Sequence, residues 1–465
     1  MLRLRIILNN RKRFVFSAVL AAVLVLLAGG ATALAQPTVR CVTKTGPSPN
    51  PSCTALTTYA SIHDAVNAAS PFDIIVVGPG TYPESVTIPV SLSLFGAQAG
   101  KDARVDRHDT TKESIVDASG KPHGAGHGAA FDVEASYVVI DGFTIQGGTA
   151  GKDASGIWVQ NFMFSPQILN NIIENNAVGV YLYIPFGPVI EHNLFETNNQ
   201  GTVGANDYNL EGTAGYGIAG SPSPPFIPAP ATITENEFTG NETAAMYLYQ
   251  DYFSSITRNT SENDGSFVIL VECNYTQFNH NAGRNFGARG VLPVSISPSP
   301  VNADAAIQID YGNGGLEISD NDLEEGKAPI GNGIAFSNIL GSGPSVGCRV
   351  NNNRVTRFPG NGIVAKDGAG AVFSSSISAN DVEDNGEDGI LIEGPASTYN
   401  YGNFLFENEA EGNQVKDCQD DTIGSVSTFM GTLGTANNWF NNIGNLSYPP
   451  GPPPLCTPGR GHYPD

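Results

Sequence analysis

The chain is poor in charge, and above all in positive charge. Only 15% of its 465 residues are Asp, Glu, Lys or Arg, and Lys and Arg together number 23 against 45 acids. That excludes a coiled coil or helical bundle, which draw on Lys and Glu at every turn, and a charged disordered tail. Five of the basic residues, Arg3, Arg5, Arg11, Lys12 and Arg13, precede residue 36, where no acid occurs; the rest of the chain holds 18 basic and 45 acidic side chains. Phosphate contacts need basic groups, so nucleic acid is excluded as a partner, and so is an anionic membrane surface. An acidic polymer binds only if a divalent cation bridges the two negative surfaces. Beyond the first 35 residues, no run is long and apolar enough to span a bilayer.

That first stretch has its own pattern. A basic start leads into the apolar run Phe14 to Ala28, broken by Gly29 and Gly30, and Ala33-Leu34-Ala35 offers small residues for cleavage. Residues 1–35 are expected to be a secretory signal peptide cut after Ala35, leaving a secreted protein with no membrane attachment. The run is shorter than the ~20 residues of a spanning helix. Six cysteines are then read in an oxidising compartment. Cys41 with Cys53 and Cys418 with Cys456 are plausible pairs, and Cys273 with Cys348 a possible third, although spacing does not dictate connectivity.

What the chain has in quantity is Gly (54) and Asn (42), so it turns often. The Asn residues recur in a phrase: Asn, an apolar residue two later, a polar turn, then an alternating apolar run. Asn171, Asn193, Asn236, Asn259, Asn281, Asn321, Asn353, Asn380 and Asn408 each start it, with spacings as short as 22. Such a period with short strands is one coil of a parallel β-helix, whose coils bury their inner faces only by stacking. Asn tolerates left-handed backbone, which suits the corners. The expected fold is all-β: a single-stranded right-handed parallel β-helix solenoid over 73–446. A segment with an amphipathic capping helix (36–72) precedes it and a Pro-rich tail (447–465) follows. The helix is read from Ile62, Ala65, Val66 and Ala69 on one face. Trp439 and Phe440 are expected to cover the other end.

Tyr59 to Ala69, then Asp73-Ile74-Ile75-Val76-Val77-Gly78-Pro79-Gly80-Thr81-Tyr82-Pro83-Glu84 and Val139-Ile140-Asp141-Gly142-Phe143-Thr144-Ile145, resemble right-handed β-helix proteins of the pectate-lyase-like superfold. The resemblance covers most of the chain and implies a fold more than an activity, since the superfold includes lyases, galacturonases, esterases, tailspikes and NosD-like accessory proteins. Gly80 to Glu84 matches the esterase start, but the esterase's catalytic motifs have no counterpart. Gly126-His127-Gly128 matches the galacturonase Gly-His-Gly in letters only, without that family's other motifs. Copper handling favours clustered Met, His or Cys, whereas four Met and seven His are scattered here.

Aligning the coils assigns inward pairs such as Ile157/Val159, Val180/Leu182, Met246/Leu248, Ile269/Val271 and Ile307/Ile309. It leaves two outward rows. The first runs Trp158, Tyr181, Ala219, Tyr247, Leu270, Gln308, Ala335, Val364, Leu391; the second runs Gln160, Tyr183, Tyr249, Glu272, Asp310, Ser337, Lys366, Glu393. Trp158, Tyr181, Tyr183, Tyr247 and Tyr249 are expected to form an exposed aromatic strip that, with Gln308, binds sugar rings. The resemblance to lyases implies Glu272 and Asp310 as ligands of a possible calcium ion (Ca2+) and Lys366 as the base. The expected function is binding, and possibly β-elimination, of an extracellular uronate-containing polysaccharide. The competing expectation is a non-catalytic scaffold or NosD-like accessory protein.

Overall fold

The computed structural model describes residues 36–459 other than 45–52, 106, 108, 122–125, 205–209, 211–212, 224–228, 288–293, 297–298, 302–303, 311, 329, 338–343, 367–371, 395–399 and 426–429. The expected signal peptide lies outside the described residues. From Thr38 onward the chain is one compact unit. Its described strands form three long parallel sheets of 15, 14 and 13 strands, each coil giving one strand to each sheet. One coil runs Gln167–Leu169, Ile172–Glu174, Val178–Tyr183, and the next begins 22 residues later at Val189–Glu191. The solenoid is the expected parallel β-helix. Its core is one continuous apolar column from Val42 to Cys456.

All nine Asn named above stack into one buried ladder, which Asn442 extends. Asn281 is representative: its Oδ1 accepts from the Asn259 N–H (2.9 Å) and Nδ2 (3.0 Å), and its own Nδ2 donates to Ile256 O (3.0 Å) and Asn321 Oδ1 (3.1 Å). The reason for Asn differs from the expected one. The left-handed residue is its predecessor: Asn170, His192, Glu235, Arg258, His280, Asp320, Asn352, Ala379, Glu407 and Asn441 all have φ between 51° and 57°. The ladder position selects Asn because an amide donates and accepts at once, which satisfies backbone groups with no access to water.

The N-terminal end is closed by helix Ile62–Asn67, which buries Ile62, Ala65 and Val66. Glu84 caps it, accepting from the Ile62 and His63 N–H groups at 3.0 and 2.9 Å, while Tyr82, buried, donates to Gly78 O at 2.8 Å. The Gly80 to Glu84 motif thus has a structural role. Strand pairing reaches beyond 73–446: Val39–Val42 joins Ile74–Val77, and Ser447–Tyr448 and Cys456–Thr457 join the last coil. Trp439 is buried and donates to Asp420 Oδ2 at 2.8 Å, whereas Phe440 is exposed and stacks on Phe406.

Cys41–Cys53 and Cys418–Cys456 are disulfides. Cys273 and Cys348 do not pair; both are buried free thiols. The Cys273 N–H donates to Asn313 Oδ1 and Asn313 Nδ2 to Ser345 Oγ. The corner above Cys273 is therefore occupied by Asn313 and then Ser345, and Cys348 lies three residues past it.

Candidate functional site

The 13-stranded sheet holds the outward rows. Its register stacks Asp132, Trp158, Tyr181, Ala219, Tyr247, Ile269, Gln308, Ala335, Val364 and Leu391 on one line. The expected alignment is one residue out in strand Ser266–Val271. Val268 and Leu270 enter the core, and Ile269 and Val271 face outward. The run Phe267 to Val271 is apolar throughout, so no polar residue marks an outer face and alternation fits either register. Asp310 consequently pairs with Val271, not with Glu272. Glu272 lies past the strand at φ 53° and accepts from Gln250 Nε2 at 2.6 Å.

The aromatic strip is not exposed. Trp158, Tyr181 and Tyr247 are buried, and Tyr183 and Tyr249 are half-buried. The alignment is right in this stretch, but a second apolar cluster lies outside the solenoid, where Val203 and Leu210 pack with these rings and with Val178, Tyr216 and Ile269. Val203 and Leu210 belong to the connection between strands Leu194–Glu196 and Tyr216–Ser221 and lie over the sheet; beside Val203, Gly204 N–H donates to Gly151 O at 2.7 Å. Gln308 is buried and donates to Ser337 Oγ at 2.7 Å. Lys366 is ion-paired with Asp304. The structure thus does not bring Glu272, Asp310 and Lys366 onto one exposed groove.

It gathers other groups at the N-terminal end of this row. Gly128 passes so close to the next coil that a Cβ there would lie 2.1 Å from Ala150 O. That approach sets His127 against Asp153, Nδ1 to Oδ2 2.6 Å, and flat on the Trp158 indole at 3.7 Å between centroids. His127, Lys152, Asp153, Trp158, Gln160, Asn161 and Tyr183 line a cavity of about 210 Å³. One rung before Trp158, Asp132 is buried, and neither of its carboxylate oxygens has a hydrogen-bond partner among the described residues; the same holds for Trp158 Nε1.

Electrostatics divide these groups. Burial, reinforced by the charges of Glu134 and Asp153, pushes the Asp132 carboxyl up to about 7, although His127 opposes the shift. Burial works against protonating His127, but the Asp153 hydrogen bond and the nearby carboxylates outweigh it and raise its pKa. An imidazole whose proton Asp153 holds, with a carboxyl of raised pKa on the neighbouring rung, is an arrangement suited to proton transfer. From the sequence, Gly126-His127-Gly128 is a match in letters only, and Asp132 and Asp153 do not stand out. The signal present was Asp132 itself, an acid inside the apolar strand Ala129–Val133.

A family model described as a protein of unknown function, DUF1565, matches residues 46–244, which include this cavity. No curated protein matches the chain. Among solved structures, the chain is similar to the catalytic unit of a GH87 alpha-1,3-glucanase from Streptomyces thermodiastaticus (13% identity, TM-score 0.49, 82% of this chain and 66% of that one). It is also similar to a GH136 lacto-N-biosidase from Eubacterium ramulus (10%, 0.50, 81% and 68%) and an alginate lyase from Paenibacillus (15%, 0.42, 72% and 95%). The chain thus spans just under two thirds of the glucanase unit's length. At such identities the likeness concerns the fold alone: the chain folds as a parallel β-helix.

Proposed function

We propose that the protein binds an extracellular carbohydrate at the His127–Trp158 cavity and cleaves a glycosidic bond there by hydrolysis. The observation behind this reading is His127, held between Asp153 and Trp158 at the cavity, with Asp132, whose carboxylate oxygens have no partner among the described residues, one rung before Trp158. Trp158 and Tyr183 offer ring faces to a sugar, and Gln160 and Asn161 offer amides to its hydroxyls. Water bonds to the anomeric carbon as the C–O bond to the leaving sugar breaks; His127 gives its proton to the leaving oxygen, the proton released by the water passes to solvent, which returns one to the imidazole, and Asp153 steadies the imidazolium so restored. The similarly folded lacto-N-biosidase supports a carbohydrate ligand as the class.

The test is reducing-end release from neutral and uronate polysaccharides, with absorbance at 235 nm recorded alongside. His127→Ala is expected to lower the rate by ~10²–10⁴-fold, the usual worth of a positioned proton donor, with little change in thermal midpoint. Full activity in that variant would sink the role. Product absorbing at 235 nm from uronate polymers alone would replace hydrolysis with the β-elimination expected above. A second reading, a non-catalytic scaffold, draws on the covered aromatic row, which closes the sheet face to a long polymer. Binding without product release on any polymer would select it.

A further inference from the structure

Where the chain leaves the 13-stranded sheet for the 15-stranded one, it turns through residues with left-handed backbone. At four such turns the residue is aromatic: Tyr137 (φ 59°), Phe162 (61°), Phe253 (65°) and Tyr275 (56°). A bulky side chain is an unfavourable choice there, and Asn serves the same turn at lower cost. Burial does not offset the cost, since these four rings and Phe164 are 45–58% exposed. They form ring stacks along the corner: Phe164 lies on Phe186 at 4.7 Å and 18°, Phe162 near Phe186 at 5.8 Å and 28°, and Phe253 on Tyr275 at 5.2 Å and 7°. Phe162 directly follows Asn161, which lines the cavity. Residues 133–138, 160–166, 183–189, 249–255 and 271–277 contain no Lys or Arg, and Glu134 and Glu272 are their acids that reach solvent, Asp251 being buried, in a chain of formal charge −22.

We infer that this aromatic corner is a binding ridge for a neutral polysaccharide, laid along the solenoid axis and leading toward the His127 cavity. Half-exposed aromatics held in strained turns, Tyr137 with Phe162 and Phe253 with Tyr275 on adjacent coils, offer apolar ring surface to sugars, and carboxylates with no basic residue among them repel uronate polymers. The inference rests on the carbohydrate reading above and names the polymer's charge class.

The test is native electrophoresis in gels cast with dextran, hydroxyethyl cellulose or glucomannan, with polygalacturonate and alginate as anionic comparators. At least one neutral polymer is expected to slow the wild type, and neither anionic one. The triple variant Phe162→Asn, Phe253→Asn, Tyr275→Asn is expected to lose that retardation while its thermal midpoint stays equal or rises. If the triple variant is less stable, Phe253→Asn alone is judged by the same criterion. Retardation of the variant equal to wild type, retardation by the anionic polymers only, or none by any neutral polymer overturns the ridge. His127→Ala separates the two proposals: it is expected to be inactive yet retarded like wild type. Loss of its retardation would place binding in the cavity and overturn the ridge, whereas retardation of a wild type without activity would overturn only the hydrolysis.

Discussion

Asp264 ends a second stack of buried amides with a carboxylate. The stack runs Asn176, Asn198, Asn241, and the Asp264 Oδ1 accepts from the Asn241 N–H and Nδ2 at 2.7 and 2.9 Å, while Oδ2 accepts from Ser261 Oγ at 2.7 Å. Burial raises its pKa to about 7, so the folded state holds a proton that the unfolded chain releases near pH ~4. The stability from that proton is fully present below pH ~4 and is lost as pH rises through about 7. Asp251, raised to about 6, adds the same sign. The thermal midpoint should therefore fall between pH 5 and pH 8. Asp264→Asn, which keeps the shape and removes the charge, should flatten that fall and be more stable than wild type at pH 8. An unchanged slope in that variant would show that Asp264 is not buried as a titrating group.

At the scale of the element, the Asn ladder holds coil to coil at a corner that water does not reach. Asn281→Ala removes four hydrogen bonds and leaves Ile256 O and the Asn259 N–H without their partner. With about 1–3 kcal/mol for each orphaned buried group, the substitution should cost about 2–5 kcal/mol in urea unfolding. A loss below about 1 kcal/mol would mean that water replaces the amide, and that the ladder is less dry than its geometry implies. The residue before each ladder Asn behaves differently. Its left-handed backbone is imposed by the turn while its side chain points outward, so His, Glu, Arg and Ala all occur there. This is why the corner Asn were recognisable from their spacing, although the conformational reason first attached to them belongs to their neighbours.

From Thr38 onward the described coils stack around one core, with part of one sheet face covered. Two disulfides tie the end coils, and the two remaining thiols lie inside. Burial raises Cys348 to about 12 and Cys273 well above its ordinary value. Since the thiolate is the reactive form, neither should be alkylated in the native protein. Unfolding without reductant should expose two reactive thiols, and unfolding with reductant six. Labelling of either cysteine in the folded state would contradict a closed column, and fewer than two after unfolding would reveal a third disulfide.

The solenoid was legible in the sequence because its cause is local and repeated: an Asn, a left-handed corner and alternating apolar residues every 22 or so positions. The capping helix was legible for the same reason, as one face of Ile62, Ala65 and Val66. The site was not. Register in Phe267 to Val271 depends on the neighbouring strands, because an all-apolar run reads equally well in either phase, and so Glu272 was set beside Asp310. The aromatic row was aligned correctly, yet its burial depends on Val203 and Leu210 packing over it, which no periodicity encodes. His127 and Asp132 come from one coil and Asp153 and Trp158 from the next, and the close approach of the two loops at Gly128 acts through a contact distance. The sequence by itself determined which residues turn and which enter the core, because those choices are made within one coil. The tertiary structure decided which outward residues meet water and which meet each other, because that depends on what lies across the sheet and over it.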